Sequence, residues 1–186
     1  MEKVKSTLTE IPETMLTTLW AKAVETDRPD PLLRDEKAKE IIGQIEYDFS
    51  KFQKAKLSQL GCCIRAKLID NEAREFLAQH PDAVVIQLGA GLDARYERLG
   101  RPEVTHWFDL DLKEAIDLRR RFLMETERNT YLAESMFDED WLDKVRAYSK
   151  SPVLIILEGV LMYFPEERVR ELFRNICDKL PSATIL

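Results

Sequence analysis

The chain has few of the residues that usually hold metals or form disulfides. Its 186 residues include only two histidines and three cysteines. His80 and His106 stand far apart in the sequence, and Cys62, Cys63 and Cys177 fit neither the spacing of a zinc site nor a disulfide framework. We therefore predict no metal site, and we expect reduced, buried cysteines of the kind found in cytoplasmic proteins.

Long apolar runs and clusters of positive charge are also missing. No stretch approaches the roughly 20 apolar residues that span a bilayer, and the first ten residues have no apolar signal core. The formal net charge is −6 without a sustained basic block, so neither a membrane nor a nucleic acid is an expected partner. Three consecutive arginines at 119–121 lie within helical apolar spacing, and we interpret them as a solvated helix face.

The hydrophobic pattern changes near residue 80, although the length favours one domain. Residues 1–80 predict a helical cap, with helices at 14–26, 35–46, 49–60 and 64–79. Residues 81–186 predict strands at 83–88, 104–109, 130–132, 153–158 and 183–186, with helices at 93–99, 113–126, 138–148 and 165–180. This alternation predicts a doubly wound, Rossmann-like α/β sheet. Because the chain stops within its fifth strand, we expect further C-terminal strands to be missing from it.

A glycine-bearing turn follows the first predicted strand. The sequence AVVIQLGAGLDAR runs from a buried apolar strand through Gly89 and Gly91 into a helix. The two glycines let the backbone turn sharply and approach a ligand closely. Asp93 is placed to cap the helix, and the free N–H groups of the helix's first turn are expected to face the ligand. The segment predicts a nucleotide-binding turn.

Acidic residues close two of the predicted strands. Asp109 and Asp111 follow Gly89 by about twenty residues, the spacing of a carboxylate that holds a ribose diol. By geometry alone, Asp109 is the better ligand and Asp111 the better helix cap. Glu158 ends an apolar strand, where a charge is costly without a partner, and we assign it a functional role. Residues 161–164, Leu-Met-Tyr-Phe, fit either an apolar ligand wall or simple core packing.

The charge of this crevice discriminates between ligand classes. At roughly 5 Å and an effective dielectric near 20, Asp93 and a pyrophosphate charge repel each other by about 3 kcal/mol. A sulfonium and an ammonium are instead attracted by the same acids, which points to S-adenosylmethionine. The spacing Gly89-x-Gly91-x-x-Ala94 also fits NAD, so an NAD-dependent oxidoreductase is one alternative. A truncated, non-catalytic binding domain is another.

Five segments together resemble a known family. They are IPETMLTTLWAKAVETDRPDPLLRDEKA, CCIRAKLID, VVIQLGAGLDARYERL, HWFDLDLKEAIDLRR and ILEGVLMYF. In this order they resemble the leucine carboxyl methyltransferase family, and within it the branch similar to the tetracenomycin polyketide O-methyltransferase. The resemblance implies a Rossmann-like fold and an S-adenosylmethionine-dependent O-methyltransferase.

The resemblance also implies five cofactor-binding residues. Arg65 corresponds to the basic residue that holds the methionine carboxylate, and Gly89 to the glycine of the turn. Asp111, rather than Asp109, corresponds to the acid that binds the ribose. Glu158 corresponds to the residue near the methionine amino group, and Lys22 is the nearest match to an N-terminal basic residue that reaches the cofactor.

One position departs from the family pattern, and the catalytic residues stay unidentified. Ser135-Met136 stands where relatives carry an Asp-Leu pair that binds the adenine amino group. The expected acceptor is a carboxylate or hydroxyl of a small molecule or a peptide end. A carboxylate acceptor needs no general base. For a hydroxyl acceptor the sequence identifies no base, and Tyr163, Glu158 and His106 are only candidates.

Overall fold

The computed structural model describes residues 4–5, 13–54, 56–148 and 150–186. The chain forms two compact units. The first, here called the helical unit, comprises Met1–Asn71 and Leu92–Arg101. The second, here called the sheet unit, comprises Glu72–Gly91 and Pro102–Leu186.

The helical unit is built from helices, a 3-10 turn and one pair of very short strands. Its elements are β1 (Val4–Lys5), α1 (Glu13–Thr26), α2 (Glu36–Gln44), β2 (Ile45–Glu46), a 3-10 turn (Phe49–Lys54), most of α3 (Lys56–Gln79) and α4 (Arg95–Arg98). β1 and β2 pair in parallel, which the sequence did not indicate. Leu16, Leu19 and Trp20 of α1 are buried together with Ile41 of α2. The apolar spacing of both helices thus forms this unit's core.

The predicted boundary between the third helix (49–60) and the fourth helix (64–79) is wrong. A 3-10 turn covers Phe49–Lys54, and α3 then continues through Gly61 to Gln79 as one helix. A Cβ built on Gly61 meets nothing within 4 Å, so the glycine lies on an open helix face. An exposed helical glycine costs only about 1 kcal/mol relative to alanine, and the burial of Cys63 and Ala66 nearby offsets that cost.

The sheet unit confirms the predicted doubly wound architecture. Its elements are β3 (Val84–Leu88), β4 (His106–Asp111), α5 (Lys113–Arg119), β5 (Asn129–Ala133), α6 (Asp140–Arg146), β6 (Val153–Ile156), α7 (Glu166–Lys179) and β7 (Thr184–Ile185). All neighbouring strands are parallel, in the order β5-β4-β3-β6-β7. β4 runs to Asp111, two residues beyond its predicted end, and α5 stops at Arg119 instead of 126.

The strand order reverses at β3: β4 and β5 extend the sheet on one side of β3, and β6 and β7 extend it on the other side. Every residue of β3 is buried, as its β-branched run predicts for a central parallel strand. The turn after β3 and the loop after β6 therefore emerge side by side at the carboxyl edge of the sheet. In open α/β sheets, ligands bind at this point.

Two further expectations can be compared with the structure. None of the three cysteines, all in the described part of the chain, forms a disulfide, but only Cys63 is buried. Cys62 is half-buried, and Cys177 is exposed because it lies on the outer face of α7. None of the helices in the described part of the chain combines the length and the apolar character that crossing a membrane requires.

Candidate functional site

The turn after β3 depends on the absence of a side chain at Gly89. Gly89 has φ +72°, and Gly91 has φ +49°. A Cβ built on Gly89 would lie 2.8 Å from Cγ2 of Val160 in the loop after β6. This loop therefore packs directly against the turn, and a side chain at position 89 would separate them.

The backbone N–H groups of the turn all have acceptors within the sheet unit. Gly89 N and Ala90 N donate to the carbonyl oxygen of Leu110, at 2.9 and 3.0 Å. Gly91 N donates to Oδ2 of Asp111 at 2.7 Å. These three amides consequently do not form an open anion-binding nest, the feature with which dinucleotide-binding turns hold a pyrophosphate.

Asp111 combines partial burial with unused acceptor capacity. Its Oδ1 accepts the N–H of Leu112 at 2.7 Å, while Oδ2 accepts that of Gly91. Burial raises the pKa of Asp111 above its ordinary value, against the opposing effects of both N–H groups and of Arg119. A carboxylate offers about four lone-pair sites, so two further donors can still bind. The helix cap expected of Asp111 is absent, since Leu112 occupies the N-cap position of α5.

Asp109 is fully buried, and the geometric preference for it as the ligand is therefore wrong. Its carboxylate accepts from Arg119 Nη2 at 2.8 Å, Asn129 Nδ2 at 2.9 Å and Trp107 Nε1 at 3.1 Å. Three internal donors satisfy this charge. Asp109 therefore binds groups inside the sheet unit and does not face a ligand.

Arg119 is likewise fully buried, so the interpretation of 119–121 as a solvated face is wrong for this residue. Its guanidinium pairs with Asp109, donates from Nη1 to the carbonyl of Gly91 at 3.1 Å, and lies 4.8 Å from the Tyr131 ring centroid. The helical spacing of the apolar residues already indicated that position 119 is buried, because it lies three residues after the buried Ile116 and four before the buried Leu123.

Glu158 lies in the loop after β6, two residues beyond the end of the strand, and is half-buried. The 3-10 turn Leu161–Tyr163 follows it. Met162 and Tyr163 are 72% and 57% exposed, so these two do not pack in the core. Phe164 instead turns inward and contacts Phe137 edge to face, with 4.7 Å between the ring centroids.

In the helical unit, Lys22 and Asp93 form a buried ion pair. Lys22 Nζ lies 2.6 Å from Asp93 Oδ1, and Lys22 is only 3% exposed. Asp93 also pairs with Arg98 at 2.9 Å and with Arg95 at 3.4 Å. Burial alone would raise the pKa of Asp93, but Arg98, Lys22 and Arg95 outweigh it and hold that pKa well below its usual range. The helix cap expected of Asp93 is absent, because Ala94 occupies the N-cap position of α4.

The same cluster includes two more aspartates. Arg98 donates to Asp70 at 2.6 Å and to Asp35 at 2.8 Å, and Arg95 donates to Asp70 at 2.8 Å. Three acids and three bases thus form one charge-balanced network, here called the buried ion network (Lys22, Asp35, Asp70, Asp93, Arg95 and Arg98). Asp93, Arg95 and Arg98 are close in sequence, but Lys22, Asp35 and Asp70 lie far from them, and no local pattern indicated the association.

Arg65 lies half-buried on α3, in the helix that precedes the first strand of the main sheet. Ser135, after β5, accepts the N–H of Phe137 on its Oγ at 3.1 Å and donates its own N–H to Asp138 Oδ2 at 3.1 Å. The hydroxyl is therefore already part of a local turn. Met136 is buried, and its carbonyl accepts from Trp141 Nε1 at 3.0 Å.

His106 lies at the amino end of β4, five residues before Asp111. At about 3.3 Å per residue, these two positions are separated by nearly the length of the strand. Its Nε2 is 2.9 Å from Thr130 Oγ1, and partial burial lowers the pKa of His106. His106 is therefore not placed to act as a base at the carboxyl edge.

Similarity to known proteins extends over most of the chain. The family model described as leucine carboxyl methyltransferase matches residues 15–177. The tetracenomycin polyketide synthesis O-methyltransferase of Streptomyces glaucescens is 37% identical over 96% of this chain and 66% of its own length. The S-adenosyl-L-methionine-dependent methyltransferase dpfgK of Gibberella zeae is 31% identical over 95% of this chain and 63% of its own length. The chain thus spans slightly less than two thirds of either relative.

Among solved structures, human N-acetylserotonin methyltransferase in complex with S-adenosylmethionine aligns to 87% of this chain and 45% of that protein. The sequence identity is 14% and the TM-score is 0.41.

Proposed function

Because the chain belongs to the leucine carboxyl methyltransferase family, we propose that it is an S-adenosylmethionine-dependent O-methyltransferase. The acceptor is a carboxylate or a hydroxyl of a small molecule or a peptide end. The O-methyltransferase named among the relatives supports oxygen as the acceptor atom. When bound, the cofactor supplies a methyl group made electrophilic by its sulfonium. The chain's own residues bind and orient the cofactor and the acceptor, and they exclude water from the site.

The occupied amides of the glycine turn carry this proposal. Gly89, Ala90 and Gly91 donate to Leu110 and Asp111, so the turn offers little to a pyrophosphate. A ligand without phosphate needs no such amides. The NAD-dependent alternative is weaker for this reason, because NAD carries a pyrophosphate and S-adenosylmethionine carries no phosphate.

Asp111 is the residue that we propose for the ribose. Its carboxylate stands at the end of β4, beside the turn, and still has lone pairs to accept from two vicinal hydroxyls. Gly89 lets the turn lie flat against the loop after β6, as its close approach to Val160 requires.

Glu158 is proposed to attract the ammonium of the methionine portion, because it lies in the loop after β6, two residues beyond the strand, at the strand-order reversal. Arg65 is proposed to hold the methionine carboxylate in a bidentate pair. For Lys22 the same carboxylate is the proposed partner. Its ammonium has three N–H donors, and Asp93 takes one of them.

Proton transfer depends on the acceptor. A carboxylate acceptor is already ionised at neutral pH, so the residues of the site need only align it and exclude water. A hydroxyl acceptor requires a base, and of the candidates Tyr163 and Glu158 stand at the carboxyl edge of the sheet, unlike His106. We further propose a cytoplasmic location, which the three cysteines support, since they form no disulfide.

Thermal unfolding with two ligands tests the proposal. S-adenosylhomocysteine, at one hundred times its dissociation constant, is expected to stabilise the protein by about 2.7 kcal/mol, and NAD is expected to leave the midpoint unchanged. Stabilisation by NAD alone would support the oxidoreductase instead.

A further inference from the structure

Arg119 is a buried charge that the proposed chemistry does not use. Its side chain is fully buried in the sheet unit, and so is that of its partner Asp109. A buried ion pair of this kind is often no more stabilising than apolar residues of the same size. Its presence beneath a functional turn therefore calls for an explanation beyond stability.

The guanidinium has a second partner in the turn itself. While Nη2 binds Asp109, Nη1 donates to the carbonyl oxygen of Gly91. The N–H of the same glycine donates to Asp111. The peptide units on both sides of Gly91 are thus held, one by Arg119 and the other by Asp111.

We infer that Arg119 is a positioning residue, which fixes the glycine turn through Gly91 and thereby sets the Asp111 carboxylate for ligand binding. Gly91 has φ +49°, in a region where glycine has wide conformational freedom. A turn built on such a residue needs external contacts to keep one conformation. Arg119 supplies a rigid contact, because Asp109 holds the guanidinium and Asn129 and Trp107 hold Asp109. The role in ligand binding rests on the proposed function, whereas the role in the turn does not.

The variants must separate positioning from folding. Arg119→Met alone leaves Asp109 buried without its counter-charge, and such a protein is expected to unfold easily. The double variant Asp109→Asn/Arg119→Met removes both charges, and the single amide oxygen of the new asparagine can accept from either Trp107 or Asn129, which bind different oxygens of Asp109. Arg121→Met, an exposed arginine two residues further along, is the matched control.

Amide hydrogen exchange tests the effect on the turn without any ligand. In the double variant, we expect the Gly91 amide to exchange about tenfold faster than in the wild type, the equivalent of one weakened hydrogen bond. The amides of β3 and the whole Arg121→Met protein should exchange as in the wild type. Unchanged exchange at Gly91 in a folded double variant would overturn the inference.

The pH dependence of S-adenosylhomocysteine binding tests the effect on Asp111. The groups that act on this carboxyl are the N–H groups of Gly91 and Leu112 and, from α5, the charge of Arg119. The Gly91 N–H and Arg119 both lower the pKa of Asp111, so a loosened turn in the double variant should move the acid limb of binding to higher pH and weaken binding about tenfold at neutral pH. A purely structural role would leave the acid limb where it is.

The two proposals fail in different ways. If the wild type binds no S-adenosylhomocysteine, the proposed function is wrong, and the exchange of the Gly91 amide alone decides the role of Arg119 in the turn. If the wild type binds and the folded double variant binds equally well with the same pH profile, the proposed function stands and the inference about Arg119 is wrong.

Discussion

Two aspartates on the same face of one strand have opposite roles. Residues 109 and 111 are two apart and therefore point to the same side of β4. Asp109 lies inside the strand and is saturated by internal donors, whereas Asp111 lies at its end and keeps free acceptor sites. Position along the strand, rather than residue type, decides which acid can meet a ligand.

Replacement of Asp111 by asparagine should weaken ligand binding without unfolding the protein. The asparagine oxygen can still accept the N–H of Gly91, but the charge that strengthens bonds to two hydroxyls is lost. We expect S-adenosylhomocysteine binding to fall by about 1.5–3 kcal/mol, measured by titration calorimetry. Asp117→Asn, at an exposed aspartate of α5, is the control and should bind as the wild type does.

Gly89→Ala should lower the free energy of unfolding more than a Gly→Ala substitution that introduces backbone strain alone. At Gly89 the new Cβ adds a contact of 2.8 Å to Val160 to an unfavourable φ of +72°. Gly100 has φ +84° and open space, so Gly100→Ala isolates the strain, expected at about 1 kcal/mol. In urea denaturation, the free energy of unfolding of Gly89→Ala should be about 1–3 kcal/mol lower than that of Gly100→Ala. Equal losses of unfolding free energy in the two variants would show that the loop after β6 moves away from the new Cβ without an energetic cost.

At the scale of elements, the order and type of the main-sheet strands were predictable, because alternating apolar segments and turns are local patterns. The division of α3 was not, since an exposed glycine at position 61 resembles a helix end in sequence. The cofactor residues came from the family resemblance, whereas geometry favoured Asp109. Arg119 was missed because an arginine run suggests solvent, although its spacing placed it on the buried face.

The short helix α4 should depend on ion pairs rather than on its own propensity. It has four residues and no side-chain cap, while its Arg98 binds Asp35, Asp70 and Asp93. We expect Arg98→Met to destabilise the protein by about 3–5 kcal/mol, because it leaves buried carboxylates short of a counter-charge. Arg34→Met, at an exposed position, should stay within about 0.5 kcal/mol of the wild type in denaturant titrations. A small loss for Arg98→Met would contradict a structural role for the buried ion network.

For the whole molecule, the buried ion network predicts a loss of stability in acid. The pKa of Asp93 is held well below the usual value of 3.8, so the unfolded chain takes up a proton at this residue before the folded chain does. The contribution of Asp93 is therefore complete above about pH 4 and disappears as the pH falls through the lowered pKa. Urea denaturation between about pH 2 and 6 should show this decline in the wild type. A decline of the same steepness in Asp93→Asn would exclude Asp93 as its source.

The central claim is that the carboxyl edge of the sheet binds S-adenosylmethionine through Asp111. Calorimetric titration with S-adenosylhomocysteine, with NAD in parallel, tests it most directly. We expect S-adenosylhomocysteine to bind with one site per chain, NAD not to bind, and Asp111→Ala to abolish binding while the fold is retained. Binding that survives in Asp111→Ala, or no binding by the folded wild type, would contradict the account.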